Sequence, residues 1–507
     1  MIGFELKVIL VFLTAHFSAL FILPKLANIA QRIGLVDEPN ARKIHKTPRP
    51  LVGGIGMVIS ATFSALLFIP IKGLRGFFLG LALLLLIGFL DDFREVGHRQ
   101  KFLAQIAATA LLMYFSKVSL LSFGDLVGLG EIDLSWSAPL VWAVTVFCVV
   151  GVINAVNMAD GLDGLAGGAS FLAFLTFAIH SSLIGDDSLM LLNLAMAGAV
   201  LGFLKFNWFP SAMFMGDAGS LCLGFSLAFM ALALTQGEGL KVSPVVPLLV
   251  LAVPITDTVV VMIRRIFRGA SPFKADQIHL HHILLRYGFG RITAVQIILL
   301  ISILMCLLSL LGPLNGFSDT GLFAVYLLYA ILFVAASRYI VRAYDQGRQL
   351  REGEHLLDRL PAVKTVKGWF RLSHIARRAA RYPVNLPLVC QSLESGRRFD
   401  GTVLNISSDG CMARISDLDR LDDQMQVEIA FQPGESALVV RIFAEHLWLQ
   451  QRNDEMFHGF RFGDDPLQRE RLASLLRRLG EGAASGNPEK PAGNGEFLSR
   501  RERHSRP

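Results

Sequence analysis

Charged residues are scarce over the first two thirds of this 507-residue chain. Residues 1–337 hold only 39 of them, about 12%, where ordinary soluble domains carry about 25%. That scarcity excludes a single soluble globular domain and a wholly disordered chain. Cysteine is sparse as well. The five residues Cys148, Cys222, Cys306, Cys390 and Cys411 form no CxxC pair, which excludes a secreted disulfide scaffold and leaves them as small core residues. The first apolar run lacks a small-residue cleavage site after it, so it reads as a retained span rather than a removed signal peptide. A net charge of +7 over the whole chain is too dilute to point to nucleic acid, and no such partner is expected.

In place of charge there are long apolar runs. A membrane span needs about 20 mostly apolar residues. Eleven stretches qualify, at about 5–24, 51–71, 74–90, 102–119, 138–157, 164–185, 188–205, 217–236, 243–263, 293–313 and 319–340. Lysine and arginine are unequally shared between the two sets of connecting loops. The loops at 25–50, 91–101, 158–163, 206–216 and 264–292 carry 15, and the opposite set carries 2. By the positive-inside rule the first set faces the cytoplasm, with the N-terminus outside. After residue 337 the charge density rises to about 29%, which marks a boundary to a soluble region on the cytoplasmic side. The expected fold is therefore a polytopic α-helical membrane protein of about eleven transmembrane helices, followed by a small cytoplasmic β-barrel with a C-terminal helix. The expected divisions are 1–340, a basic amphipathic linker at 341–372, the barrel at 373–480 and a disordered tail at 481–507.

Nearly all unusual chemistry lies in the loops expected to be cytoplasmic. Asp91 and Asp92 end an apolar run, with Lys101 ten residues on. Adjacent carboxylates at a membrane surface are costly unless a cation or a base role uses them, although a helix cap would also explain them. In NAVNMADGLDGLAGG (154–168), Asn157, Asp160 and Asp163 are spaced by three and share one side if helical. The glycines around them let other groups approach the backbone. Asp217, between Gly216 and Gly219, opens another span. It suits either a helix N-cap or oxygen ligation of a hard divalent cation. His279, His281 and His282 sit in a loop rich in arginine and lysine. That company suits a polyphosphate better than zinc, since no cysteine accompanies them, and a plain surface loop stays open. The first loop, with Asn40, Arg42 and Lys43, combines the ordinary positive-inside charge with asparagine and glycine placements which that charge does not explain. Asp257 is an acid inside a span, and such residues face interior sites.

In order, GLVDEPNARKIHKTPRPLVGGIG, FLDDFREVGHRQKFLAQ, NAVNMADGLDGLAGG, FNWFPSAMFMGDAGS and HLHH resemble the polyprenyl-phosphate N-acetylhexosamine-1-phosphate transferase family over about residues 34–290. The HxHH form resembles the branch that starts O-antigen-type glycans. The resemblance implies transfer of a sugar-1-phosphate, GlcNAc-1-phosphate first, from a UDP-N-acetylhexosamine to undecaprenyl phosphate in the bacterial inner membrane, releasing UMP. It also implies Mg2+ or Mn2+ as cofactor, held by Asp217. Asp91 and Asp92 would activate or orient the lipid phosphate. Asn157, Asp160 and Asp163 would line the cleft. His279, His281, His282 and Lys101 would hold phosphates, and Asn40, Arg42 and Lys43 would contact substrate. Direct attack by the lipid phosphate and a covalent phospho-aspartate both stay open, as does a homodimer.

Beyond the linker, YPVNLPLVCQS, FDGTVLNIS, CMARI, MQVEIAF, ALVVRIFAEHLWLQ and FHGFRF alternate as strands of a small barrel. PLQRERLASLLRRLG would close it as an amphipathic helix. Arg377 and Arg381 (RxxxR), with Asn405, Ser407 and Gly410 (NxSxxG), resemble the PilZ domain over about 374–480. That implies cyclic di-GMP as effector, since guanidiniums pair with phosphates and stack on guanine. A basic patch on the membrane surface is the plainer reading of the arginines. Two other classes remain. In a non-enzymatic membrane receptor the transferase fold would be only an anchor. A transporter is disfavoured, because its acids should lie near the midplane.

Overall fold

The computed structural model describes residues 3–38, 48–94, 96–236, 242–267, 269, 279–287 and 289–347. Beyond these it describes 382–392, 397–407, 410–415, 424–431, 438–452, 455–462, 470, 472–474 and 476. The chain divides into two compact units, residues 1–365 and 366–507.

The first unit is helical: α1 (Phe4–Ile33), α2 (Gly53–Phe68), α3 (Arg75–Arg94), α4 (His98–Ser116), α5 (Ala138–Ala159), α6 (Leu165–Leu183), α7 (Asp187–Asn207), α8 (Gly216–Gln236), α9 (Val245–Val250), α10 (Ala252–Phe267), α11 (Leu280–Tyr287), α12 (Arg291–Leu314) and α13 (Asp319–Gly347). Every one of the eleven apolar stretches falls on helix. Eight of these helices are long and apolar enough to cross a membrane. The remaining three stretches differ in kind. α2 has 16 residues, α4 is too polar, and the ninth stretch is broken into α9 and α10. Pro254 lies just past the break, and its missing N–H cannot bond the Val250 carbonyl one turn back. α13 runs on to Gly347, into the stretch expected as linker. Residues 348–372 of that stretch and the tail at 481–507 lie outside the described residues.

α8 is the axis of the unit and packs against α2, α3, α5, α6 and α7. Its sequence explains the position. Gly219 faces Gly54 of α2, Ala218 faces Gly88 of α3, and Gly224 faces Ile153 of α5. Small residues let backbones come together where apolarity alone gives helices no preference for one another over lipid. The acid-bearing ends of α3 and α8 are thereby held side by side. A short antiparallel pair, β1 (Val36–Asp37) with β2 (Arg49–Pro50), leads into α2. There Phe214 donates its backbone N–H to the Pro50 carbonyl, and Gly53 and Gly54 donate to the carbonyls of Phe214 and Met215.

The second unit holds β3 (Tyr382–Ser392), β4 (Arg398–Ile406), β5 (Gly410–Ile415), β6 (Gln424–Phe431), β7 (Leu438–Arg452) and β8 (Glu455–Phe462). All neighbours are antiparallel, in the closed order β3-β4-β5-β8-β7-β6. The alternation along the strands puts Leu388, Cys390, Val403, Ile406, Cys411, Ala413, Phe460 and Phe462 inside. All five cysteines are free thiols, four of them buried, in keeping with a core role. The expected closing helix falls largely outside the described residues.

Candidate active site

The ends of α3 and α5 and the first turns of α4, α8 and α11 meet at one end of the helical unit. Asp92, in the last turn of α3, accepts the backbone N–H groups of Asp217 (2.8 Å) and Ala218 (3.1 Å), the first amides of α8. A helix N-terminus presents unpaired amides and a positive dipole end, so a carboxylate belongs there. Gly216 makes the approach possible. Its φ of +72° suits glycine, and a Cβ would strike the Asp92 carboxylate. Asp91 faces the other way. Its Oδ1 accepts Val96 N–H at 2.7 Å, and its Oδ2 lies 2.5 Å from Lys101 Nζ. Lys101, in the first turn of α4, lies equally 2.5 Å from Asp217 Oδ2. Among the described residues, Asp91, Asp92 and Asp217 can each offer an oxygen within 4.8 Å of the others. Three clustered carboxylates, two of them on one seated ammonium, form a pocket for positive charge, and hard oxygen donors suit Mg2+ or Mn2+. The residues present therefore fit the expected metal. The sequence pointed to Asp217 as ligand and to Lys101 as a phosphate contact. The geometry groups both α3 acids with Asp217, within reach of one ion, and puts Lys101 on carboxylates.

The turn between α5 and α6 lies beside this cluster. Asn157 accepts a hydrogen bond from the Ser220 hydroxyl of α8 at 2.7 Å. Asp163 accepts Ser211 N–H at 3.1 Å. Gly164 N–H donates to Asn207, whose amide donates in turn to the Met213 carbonyl. The 157–164 turn is thus tied to the 207–220 segment on both sides. Asp160, between the two helices, has no such fixed role. Burial, and then the charges of Asp217 and Asp163, push its carboxyl up to about 7.

The histidines divide into different states. His279 is buried, and its Nδ1 lies 2.9 Å from Asp257 Oδ2. The other Asp257 oxygen accepts Leu280 N–H, the first amide of α11, at 2.8 Å. A carboxylate can only accept, so His279 donates from Nδ1, which leaves Nε2 as its acceptor nitrogen. His281 stacks on His279 with ring centroids 5.9 Å apart. Its Nε2 rests against the backbone of Gly161, where a Cβ would collide with it. Burial and the neighbouring His282 and His279 push His281 down to about 3, so it is neutral at physiological pH. His282 lies 4.2 Å from His281, ring to ring. Gly161 thereby brings the histidine helix onto the acidic turn. Asp257 is the residue whose part the sequence left least defined, and an acid inside an apolar run was its signal. Asn40, Arg42 and Lys43 lie outside the described residues.

In the second unit Ser407 and Gly410 close the turn between β4 and β5. The Ser407 N–H and hydroxyl both donate to the Gly410 carbonyl, at 2.8 and 3.0 Å. Asn405, two residues before Ser407, pairs with Met412 across the ladder. Arg377 and Arg381 lie outside the described residues. On β8, the strand next to β5, His458 is fully buried, with its Nδ1 3.2 Å from His446 Nε2.

A bundle of apolar helices with an acid-and-histidine site at their ends defines a membrane-embedded enzyme class, and comparison with known proteins narrows it. Residues 74–235 match glycosyl transferase family 4, and residues 376–478 match the PilZ domain. The undecaprenyl-phosphate alpha-N-acetylglucosaminyl 1-phosphate transferase of Escherichia coli (strain K12) is 34% identical over 341 residues, covering 66% of this chain and 90% of that protein. The protein of the same name from Yersinia pestis is 33% identical, covering 65% and 93%. The chain belongs to the undecaprenyl-phosphate N-acetylglucosaminyl 1-phosphate transferase family, within glycosyl transferase family 4, and carries a PilZ domain after it.

Proposed function

We propose that the helical unit transfers N-acetylglucosamine-1-phosphate from UDP-N-acetylglucosamine to undecaprenyl phosphate, at the cytoplasmic face of the bacterial inner membrane. The product would initiate a polysaccharide of the O-antigen type. The observation that carries this reading is the meeting of Asp91, Asp92, Lys101 and Asp217 with the 157–163 turn and the histidine helix. Two anionic substrates can approach each other only where positive charge is assembled; a divalent cation on these carboxylates, with the Lys101 ammonium, would supply it at the ends of apolar helices suited to a lipid.

An oxygen of the lipid phosphate attacks the phosphorus that bears the sugar. A new P–O bond forms, the P–O bond to the uridylyl phosphate breaks, and UMP leaves with the electron pair. The attacking phosphate is already ionised near neutral pH, so no proton need be removed from it. A Mg2+ or Mn2+ held by Asp217, Asp91 and Asp92 would neutralise charge on the pyrophosphate and the departing UMP. Asp92 has both oxygens on amides of α8. A phospho-aspartate there would take one of these oxygens from its amide and neutralise the carboxylate at a helix start, which favours direct attack and leaves Asp91 as the covalent alternative. His279 would meet a phosphate through Nε2, positioned by Asp257. His281, held neutral, would act as a hydrogen-bonding group rather than a charge. Asn157, Asp160, Asp163 and His282 would line the same cleft, with Asn40, Arg42 and Lys43 reaching it from the first loop.

The proposal extends to control. Cyclic di-GMP, gripped by Arg377 and Arg381 beside the Asn405–Gly410 turn, would alter transferase output. The PilZ match and its presence on the same chain as the transferase support this. The test uses purified full-length protein, undecaprenyl phosphate, Mg2+ and a panel of UDP-N-acetylhexosamines, with and without cyclic di-GMP. Metal-dependent UMP release with UDP-N-acetylglucosamine is expected, lost in Asp217→Asn and changed by cyclic di-GMP. Absence of UMP with every donor, from protein that still binds cyclic di-GMP, would turn the reading to a membrane-anchored receptor. Equal turnover with and without cyclic di-GMP would remove the control.

A further inference from the structure

Lys101 sits where a metal would. Its ammonium is 2.5 Å from one oxygen of Asp91 and 2.5 Å from one oxygen of Asp217, with the three side chains largely shielded from solvent. The other oxygen of Asp91 is held by Val96 N–H, and both oxygens of Asp92 are held by α8 amides. Of the five cluster oxygens with a hydrogen-bonding partner, the two that no backbone amide holds are the two that Lys101 occupies, and they face the centre of the cluster's charge. An ammonium and a divalent ion cannot share them. Mg2+ binds oxygen at about 2.0–2.1 Å, and two positive charges that close repel strongly in a partly desolvated site.

We infer that Lys101 is the resident counter-ion of the carboxylate cluster, that a divalent cation must displace it to bind, and that displacement delivers its ammonium to the substrate phosphates. The lysine stem suits the exchange. It roots in the first turn of α4, next to the cluster, and four methylenes let the charge swing without moving the helix. In the resting site the ammonium compensates carboxylates that would otherwise repel one another. When metal and anionic substrates arrive together, the released charge meets the incoming phosphates and offsets the cost of its own removal. Metal and substrate binding are thereby coupled through one side chain, and metal alone binds weakly. Only the delivery half of this inference rests on the transferase reading.

The decisive measurement is Mn2+ binding to full-length protein without substrates, read from the free-ion electron paramagnetic resonance signal. Lys101→Met should bind Mn2+ at least about tenfold more tightly than wild type, because a repelling charge is gone. Lys101→Arg, which keeps the charge, should bind like wild type, and Asp217→Asn should lose binding. Despite its tighter metal, Lys101→Met should release UMP at least about a hundredfold more slowly at saturating Mn2+. Unchanged or weaker Mn2+ binding in Lys101→Met overturns the displacement. Tighter binding with undiminished turnover overturns the delivery. A readout on the unaltered protein guards against misfolding of the variant. Mn2+ should raise the rate at which an amine-reactive reagent labels Lys101, located by mass spectrometry, and an unchanged rate overturns the displacement. These metal readouts need no substrate, so they stand or fall apart from the UMP assay.

Discussion

α8 and α13 are both long and apolar enough to span a membrane, yet they live in opposite surroundings. The apolar window of α8 is 89% buried inside the unit, and that of α13 is 17% buried. The difference lies in side-chain size. α8 offers Ala218, Gly219, Ser220, Cys222 and Gly224, whereas α13 presents Leu327, Leu328, Ile331 and Leu332 outward. Apolarity inserts a helix, and small residues decide which helix lies at the centre. The central helix also carries Asp217, one of the three clustered acids.

The sharpest way to break this comparison uses two glycines, each inside an apolar helix. A Cβ at Gly88 would press on the backbone of Asp217 and Ala218, while one at Gly151 meets nothing within 4 Å. Gly88→Ala should lower UMP release at least about a hundredfold and destabilise the unit by about 1–3 kcal/mol through overpacking. Gly151→Ala should leave activity intact and add up to about 1 kcal/mol from helix propensity. Equal behaviour of the two variants in turnover and thermal melting would refute the packing argument.

A smaller effect is expected at Asp257. Asn in its place can still accept Leu280 N–H, but its amide must then face His279 Nδ1 and reverse the imidazole tautomer. Asp257→Asn should reduce kcat by about 10- to 100-fold, the range seen for residues that orient a functional histidine, with melting little changed. Wild-type turnover would reduce the pair to packing.

The smallest effect concerns the second unit and extends the comparison to how each unit treats a buried histidine. Burial, and then His446, hold His458 down at about 4. The unfolded chain takes up a proton near pH 6.5, and the folded ring resists it. Stability of the ring is therefore full above about pH 6.5 and falls as pH drops towards 4. His458→Leu should flatten that slope, measured by limited proteolysis of the full-length chain across this range. An unchanged slope would place its origin elsewhere.

Much of this was legible in sequence because its signals are local. Every apolar stretch became helix, and each strand of the second unit grew from an alternating run. The acids were legible from their placement at the ends of apolar runs. What remained hidden depends on contacts between distant segments. His281 meets Gly161 across 120 positions of chain, and no periodicity records it. Lys101 read as a phosphate contact because its charge suited one, yet in the folded protein nearer carboxylates hold it. The break between α9 and α10 had a local signal in Pro254, outweighed by the length of the apolar run around it.

The bond between Asp92 and the first amides of α8 has one more consequence. Many phosphate-binding proteins seize an anion with the bare amides at a helix start. Here those amides are already taken by a carboxyl group of the protein's own. On the proposed function, a pyrophosphate entering this site would be grasped by side chains and an ion they hold instead of a rigid ring of amides. Such a grip depends on separate charges that can each move. It yields a site in which recognition is assembled during binding, and whose hold on its donor should weaken steeply as salt is added.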